Sequence, residues 1–298
     1  MFSISTGGIR SHRISIRVDG RRVPLLILKP LTEPKNAPGV MWIHGGGYMT
    51  GVKEMAYAGR AADLVRDHGA VVVSPGYHLS LLHPYPTALN ECYAVLLYIR
   101  DHAEELGINP NQIMVGGESA GGGMTAAVSM LARDRGEVNI AFQMPLYPMI
   151  DNFDTESSRD NHAKVWNTRR NHQAWAVYLR KEAGKEVSPY AAPARQTDYS
   201  GLPPAYTFVC TAEPFYCETL TYIDNLKSAG IEAAVDVYEG LYHAFDMYEP
   251  KSPAGREAIK RFGERFAYAG EHYFAEQKLK ARRNKTIYSL CISNSTGI

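Results

Sequence analysis

The chain has 298 residues, of which 45% are hydrophobic and 21% are charged, and its formal net charge is +1. This length suits one large α/β domain with an insertion, or two small domains. Because there is almost no net charge to favour nucleic acid or an anionic membrane, and no stretch reaches the roughly 20 apolar residues of a membrane span, we expect a cytoplasmic protein with neither kind of partner.

The first predicted elements form a hairpin. Residues 12–29 alternate apolar and polar side chains on both sides of Asp19-Gly20, a pair typical of hairpin turns. Short apolar runs then alternate with helix-length segments. The apolar runs are 39–43, 70–74, 112–116, 140–147, 205–211 and 233–239, and the helical segments are 56–67, 88–106, 119–133, 220–229 and 256–268. This alternation predicts a mostly parallel sheet with helices on both faces.

Residues 151–200 interrupt the alternation. They are polar and contain helical stretches but no convincing strand. Because Trp166, Trp175 and Tyr178 supply apolar anchors, this segment is predicted to be an ordered insertion rather than a linker. The last segment, 277–298, is polar and basic at its start, and we interpret it as a solvated tail.

A glycine-rich turn follows the apolar run 112–116. Residues 113–126 read IMVGGESAGGGMTA, with five glycines around Ser119. A phosphate-binding loop would need Lys and then Ser or Thr after the last glycine, and no frame gives the dinucleotide fingerprint GxGxxG. Two interpretations of this turn remain. It is either a tight connection without function or a nucleophile elbow, which is a strained turn that exposes a serine between strand and helix.

Three other stretches supply the groups that a serine nucleophile needs. HGGGYMTG at 44–51 follows a strand, and its consecutive glycines leave backbone N–H groups unshielded, which suits an oxyanion hole. Glu213 and His243 each follow a later predicted strand. The order Ser119, Glu213, His243 is that of α/β-hydrolases, and all three would meet at the carboxyl edge of one sheet.

With these motifs the chain resembles the bacterial hormone-sensitive lipase family of α/β-hydrolase carboxylesterases. The resemblance rests on four motifs and covers about 14–266. They are HGGG at 44–47, GESAGG at 117–122, Glu213-Pro214 and GLYHAF at 240–245, with YHLSLLHPYP from residue 77 as a weaker match to the family's YRLAPEHPFP.

The resemblance implies an α/β-hydrolase fold with an eight-stranded, mostly parallel sheet and a helical cap. Residues 1–150 and 201–276 would form the catalytic domain, and 151–200 the cap. Ser119 would be the nucleophile, His243 the general base and Glu213 the acid that orients it, while backbone N–H groups of Gly45, Gly46 and Ala120 would bind the oxyanion. The expected pocket residues are Tyr48, Trp166, Trp175 and Tyr178.

Three features depart from the family's pattern. The usual acid is an aspartate, whereas this chain has Glu213. In the YHLSLLHPYP stretch His78 replaces an arginine and Leu82 a glutamate, so a charged pair that would brace the site is missing. Only about ten residues precede the hairpin, so the cap must come mostly from 151–200.

These observations predict a serine carboxylesterase acting on short-chain acyl esters through an acyl-enzyme, with acetyl esters as one candidate substrate class. Neither a metal nor an organic cofactor is implied, and a homodimer is possible because relatives often dimerise. The four cysteines, at 92, 210, 217 and 291, show no CxxC pair or metal spacing, so we expect reduced thiols. The alternatives are an amidase or acyl-peptidase on the same fold, and a non-catalytic binding protein; the presence of His243 argues against the latter.

Overall fold

The computed structural model describes residues 7–277 and 287–291, and within them nine strands form one sheet. The strands are β1 (Ile9–Val18), β2 (Arg21–Pro30), β3 (Ala37–Ile43), β4 (Val71–Pro75), β5 (Ile108–Glu118), β6 (Phe142–Leu146), β7 (Ala205–Cys210), β8 (Ala233–Tyr238) and β9 (Tyr288–Leu290). Their order across the sheet is β8-β7-β6-β5-β3-β4-β2-β1-β9. The pairings from β4 to β8 are parallel, and those that involve β1 or β2 are antiparallel.

Helices cover both faces of this sheet. They are α1 (Arg60–His68), α2 (Thr87–Asp101), α3 (Ala103–Leu106), α4 (Ala120–Arg135), α5 (Thr168–Leu179), α6 (Tyr216–Ser228), α7 (Phe245–Tyr248) and α8 (Pro253–His272). One apolar core joins α2 and α4 to the sheet, and a second joins α1 and α8 to its other face. Since both faces are covered, the central strands β4 and β6 are buried along their whole length.

The predicted α/β-hydrolase architecture is confirmed, but the expected number of eight strands is one too few. The ninth strand, β9, lies in the segment interpreted as a tail and pairs antiparallel with β1. Tyr288 anchors it, because its ring packs edge-on against Tyr98 and its hydroxyl donates to Asp101 Oδ2 at 2.9 Å. The basic residues of the tail, from 278 to 285, lie outside the described residues.

The segment 151–200 leaves the sheet after β6 and returns before β7. It contains α5 and two short 3-10 helices, Arg180–Glu182 and Pro193–Arg195. Arg195 Nη2 donates to Asp151 Oδ1 at 2.6 Å, which ties the end of the segment to its beginning. Within the two described ranges, no helix is both long and apolar enough to cross a membrane.

Candidate active site

Ser119 occupies a sharp turn between β5 and α4. Its backbone angles are φ 59° and ψ −120°, a conformation that costs a non-glycine residue about 1–3 kcal/mol. The turn is possible because strand and helix approach closely at Gly117. A Cβ there would lie 2.7 Å from the carbonyl oxygen of Gly121 and would also collide with that of Ile43. These contacts explain why residue 117 is a glycine.

The structure brings together the three residues predicted to form the triad. His243 Nε2 lies 2.9 Å from Ser119 Oγ, and His243 Nδ1 is in contact with Glu213 Oε2. The other oxygen, Glu213 Oε1, accepts a 2.8 Å hydrogen bond from the backbone N–H of Cys210 at the end of β7. All three side chains are buried, so their interactions are little screened by water.

Aromatic rings surround the His243 imidazole. The rings of Tyr147 and Phe215 meet it edge-on, each with centroids 5.0 Å apart, and Trp166 lies 6.3 Å away. Trp166 comes from the inserted segment, so this segment reaches the imidazole directly. Packing from several sides limits the rotation of the ring and maintains its alignment with Ser119.

The glycine loop after β3 lies beside the serine. A Cβ on Gly45 would be only 3.2 Å from the Cβ of Ser119. The N–H groups of Gly45, Gly46 and Ala120 donate no hydrogen bond to another described residue. The N–H of Ala120 is also at the N-terminus of α4, where a developing negative charge is favoured.

His44 is the first residue of this loop, and its ring is buried next to the glycines. Its ring stacks on Tyr77 with centroids 4.2 Å apart, and the Tyr77 hydroxyl donates to the carbonyl of His44 at 2.9 Å. Burial lowers the pKa of His44 to about 4, so its imidazole is neutral at physiological pH. His44 is therefore a packing residue next to the site rather than a second base.

Glu118, directly before the serine, was not singled out by sequence reasoning. Its side chain turns away from Ser119 into the core, where Trp42 Nε1 donates to Glu118 Oε1 at 2.9 Å. Burial raises the pKa of Glu118 to about 8, with the Trp42 hydrogen bond acting in the opposite direction. The carboxyl is therefore mostly protonated at neutral pH. In the sequence, only the place of Glu118 within the GESAGG motif could have indicated a role for this residue.

The four aromatic residues expected in the pocket fall into two places. Tyr48 stacks on Tyr178 at 4.1 Å, and the Trp175 ring lies about equally far from both, at 6.1 and 6.0 Å. Trp166 lies apart from them, near His243. A Cβ on Gly47 would touch Trp166, so this residue also packs against the glycine loop.

Glu218 has a role that its sequence position did not reveal. Its Oε1 accepts hydrogen bonds from the backbone N–H groups of Ile150 and Asp151, at 2.7 and 3.1 Å. Burial raises the pKa of Glu218 well above its usual range. This residue secures the point where the inserted segment leaves the sheet.

His78, at the position of the family's arginine, has a buried carboxylate partner in this structure. His78 Nδ1 lies 2.7 Å from Glu91 Oε1 of α2, and the backbone N–H of His78 donates to Glu91 Oε2 at 2.8 Å. Arg21 Nε donates to the same carboxylate at 3.2 Å. Leu82, at the position of the family's glutamate, is 83% exposed and braces nothing.

A strained serine between strand and helix, with a histidine and a carboxylate at the same sheet edge, defines the class of α/β-hydrolase-fold proteins. A profile of the family described as α/β hydrolase fold matches residues 40–247. The chain belongs to this family, and the resemblance inferred from its motifs is confirmed.

Several relatives of the chain carry esterase names. It is 31% identical over 258 residues to esterase LipI of Mycobacterium tuberculosis, covering 83% of this chain and 79% of that protein. Carboxylesterase NlhH of the same organism is 29% identical, with coverages of 85% and 81%. A solved structure of a bacterial heroin esterase is 32% identical with a TM-score of 0.85, covering 90% of this chain and 86% of that one.

Proposed function

We propose that this protein hydrolyses short-chain acyl esters through a Ser119–His243–Glu213 triad and an acyl-enzyme intermediate. The coarser conclusion, that the chain is a carboxylic ester hydrolase, follows from its membership of the family and its esterase relatives. The observation that carries the finer proposal is the 2.9 Å separation of His243 Nε2 and Ser119 Oγ, with a buried carboxylate on the opposite side of the imidazole.

In the first half of the reaction, Ser119 Oγ attacks the ester carbonyl carbon while its proton passes to His243 Nε2. Glu213 accepts the hydrogen bond from Nδ1–H, which fixes the tautomer with a free Nε2 and stabilises the imidazolium. The C–O bond to the alcohol then breaks, and His243 donates the proton to the leaving oxygen. The product is an ester between Ser119 and the acyl group.

In the second half, a water molecule takes the place of the alcohol. His243 removes a proton from it, the resulting oxygen attacks the acyl carbon, and the proton returns to Ser119 Oγ as the carboxylic acid leaves. Both tetrahedral intermediates carry their negative charge on the former carbonyl oxygen. The free N–H groups of Gly45, Gly46 and Ala120 are the donors proposed for it, and one such donor typically contributes about 3–4 kcal/mol.

The substrate would enter between two units. Residues 1–150 and 201–276 form the proposed catalytic domain, and 151–200 the proposed cap. Trp166 borders His243, which delivers the proton to the alcohol, so we assign it to the leaving-group side. Tyr48 directly follows the consecutive glycines and packs with Trp175 and Tyr178 of α5. This cluster would limit the acyl side, which favours short acyl chains.

Covalent labelling tests this proposal directly. A serine-directed fluorophosphonate should modify the wild type at Ser119, identified by peptide mass spectrometry, and should not modify Ser119→Ala. Ser129, which is buried and hydrogen-bonded within α4, provides a matched Ser→Ala control that should still be labelled. Labelling elsewhere, or unchanged hydrolysis of p-nitrophenyl acetate by Ser119→Ala, would contradict it. Faster turnover of acyl anilides than of matched esters would favour an amidase.

A further inference from the structure

A group of buried charged side chains lies behind the proposed triad. Arg60 of α1 is 3% exposed and Asp246 of α7 is fully buried. Arg60 Nη2 lies 3.0 Å from Asp63 Oδ2, and Arg60 Nη1 lies 3.9 Å from Asp246 Oδ2. Neither Arg60 Nε nor Asp246 Oδ2 has a hydrogen-bond partner among the described residues. Buried charges with incomplete pairing are costly and call for a functional explanation.

Asp246 is connected to the imidazole through Tyr147. The Tyr147 hydroxyl donates to Asp246 Oδ1 at 3.1 Å, while the ring of the same tyrosine meets His243 edge-on. Asp246 is also only three residues after His243, at the start of the short helix α7. Tyr147 itself has a φ of 32°, so its backbone is strained in the position that makes both contacts.

Asp63 is shared by two arginines, because Arg66 Nη1 lies 3.4 Å from Asp63 Oδ1 on the other side from Arg60 Nη2. Asp246 has only Arg60 as a cationic side-chain neighbour among the ion pairs of the described residues, at 3.9 Å. Burial raises the pKa of Asp246, but the Arg60 guanidinium and the Tyr147 hydroxyl both favour its ionised form. When Asp246 is ionised, its negative charge and a proton on the His243 imidazole stabilise each other.

The neighbours of Asp246 come from several elements. The titratable and charged groups that interact with it are Arg60 on α1, Glu118 at the end of β5, Tyr147 after β6, Cys210 at the end of β7, and His243. Asp63 pairs with Arg60 and Arg66 on its own helix. Glu118 is mostly protonated at neutral pH, and burial raises the pKa of the Cys210 thiol, so it stays neutral too. The remaining charged groups are Arg60, Arg66 and Asp63, and burial raises the pKa of the Asp63 carboxyl.

We propose that Asp246 is a second carboxylate that stabilises the His243 imidazolium, held in place by Tyr147 and Arg60. It is a positioning residue, since it acts through Tyr147 and through its charge and does not touch the reacting atoms. Glu213 orients the imidazole by direct contact, whereas Asp246 adds negative charge behind the Tyr147 ring that meets the imidazole edge-on. This role rests on the proposed function, because the imidazolium forms only if His243 serves as the base.

The test compares Asp246→Asn with Asp63→Asn by measuring kcat/KM for p-nitrophenyl acetate from pH 5 to 9. Removing a negative charge disfavours the imidazolium, so the acidic limb should move to lower pH by about 0.5–1 unit in Asp246→Asn. The value at the plateau should fall about tenfold or more. Asp63→Asn removes a charge from the far side of Arg60 and should shift the limb by less than about 0.2 unit.

Equal shifts in the two variants, or no shift in Asp246→Asn, would overturn the role of Asp246. If Asp246→Asn does not fold, as judged by circular dichroism, Tyr147→Phe takes its place. It keeps the ring against His243 and removes only the hydroxyl that holds the carboxylate, and it should shift the limb in the same direction. A lack of shift in that variant would also count against the proposal.

Failure of this inference and failure of the proposed function give different results. If Ser119→Ala abolishes turnover and labelling but Asp246→Asn leaves the pH profile unchanged, the inference about Asp246 alone is wrong. If Ser119→Ala retains turnover, the proposed triad is wrong and the role of Asp246 is lost with it.

Discussion

The indole N–H of Trp42 donates a 2.9 Å hydrogen bond to the carboxyl of Glu118, and this bond joins the ends of two paired strands. Trp42 is in β3, which leads into the glycine loop at Gly45, and Glu118 ends β5, which leads into Ser119. Each side chain therefore lies within three residues of a group assigned to the reaction. A bond between them fixes the distance between the glycine loop and the serine.

The first prediction concerns the pH dependence of stability at Glu118. Its pKa is raised to about 8 from the usual 4.5, so the folded state binds this proton more tightly than the unfolded state does. The protonated Glu118 carboxyl therefore stabilises the folded state. This stabilisation is complete below about pH 4.5 and is lost as pH rises towards 8, by at most about 1.4 kcal/mol per pH unit. Glu118→Gln cannot ionise and keeps an acceptor for Trp42, so its free energy of unfolding should rise relative to the wild type between pH 5 and 9.

Thermal or urea unfolding at each pH measures this difference. The exposed Glu264 provides a matched control, because Glu264→Gln removes a carboxyl from the surface of α8. That variant should differ from the wild type by a constant amount across the range. A constant difference for Glu118→Gln as well would show that the carboxyl is not a protonated group in the folded protein.

The second prediction concerns the coupling of Ser119 and His243. Ser119→Ala and His243→Ala should each lower kcat by about four orders of magnitude or more, and the double variant should be little worse than either one. Both residues take part in the same proton transfer, so either substitution alone abolishes it and the second has little further effect. Steady-state kinetics with the three purified variants measure this, and circular dichroism checks that each is folded. Multiplicative effects would mean that the residues act independently.

The third prediction separates two neighbouring carboxyls. Glu213 is in contact with His243, so Glu213→Gln should lower kcat by about three to four orders of magnitude through loss of the oriented imidazole. Glu218 instead accepts from two backbone N–H groups at the start of the inserted segment. Glu218→Gln keeps an acceptor oxygen there, so kcat should change less than about threefold. The reverse pattern would mean that the acid was assigned to the wrong residue.

The fourth prediction concerns the two sides of the substrate. For p-nitrophenyl esters, kcat/KM should be highest with acyl chains of about two to four carbons and fall steeply by about eight, because each methylene that fits contributes about 1 kcal/mol and one that clashes loses as much. Trp166→Ala should widen tolerance for bulky alcohols in a series of acetates and leave the acyl optimum in place. An optimum at eight carbons, or activation at a lipid interface, would instead indicate a lipase.

Short stretches of sequence were enough to predict the sheet and the approach of the three side chains proposed as the triad. Apolar runs alternating with helical segments specify a mostly parallel sheet, since each strand must be buried on both faces. Ser119, Glu213 and His243 each follow a strand directly, and parallel strands bring their carboxyl ends to one edge. Their approximate meeting place is therefore fixed by chain order and local pattern, before any side-chain contact is known.

Only the tertiary structure could decide which side chains complete the site. Arg60, Glu118, Tyr147 and Asp246 come from elements far apart in the chain, and their burial together depends on how α1 and α7 pack against the sheet edge. The same holds for His78, whose partner Glu91 is on α2. It holds also for β9, whose three residues carry too weak a pattern to be recognised alone. Long-range packing sets the burial and pairing of charged groups, and the pKa of a carboxyl depends on both.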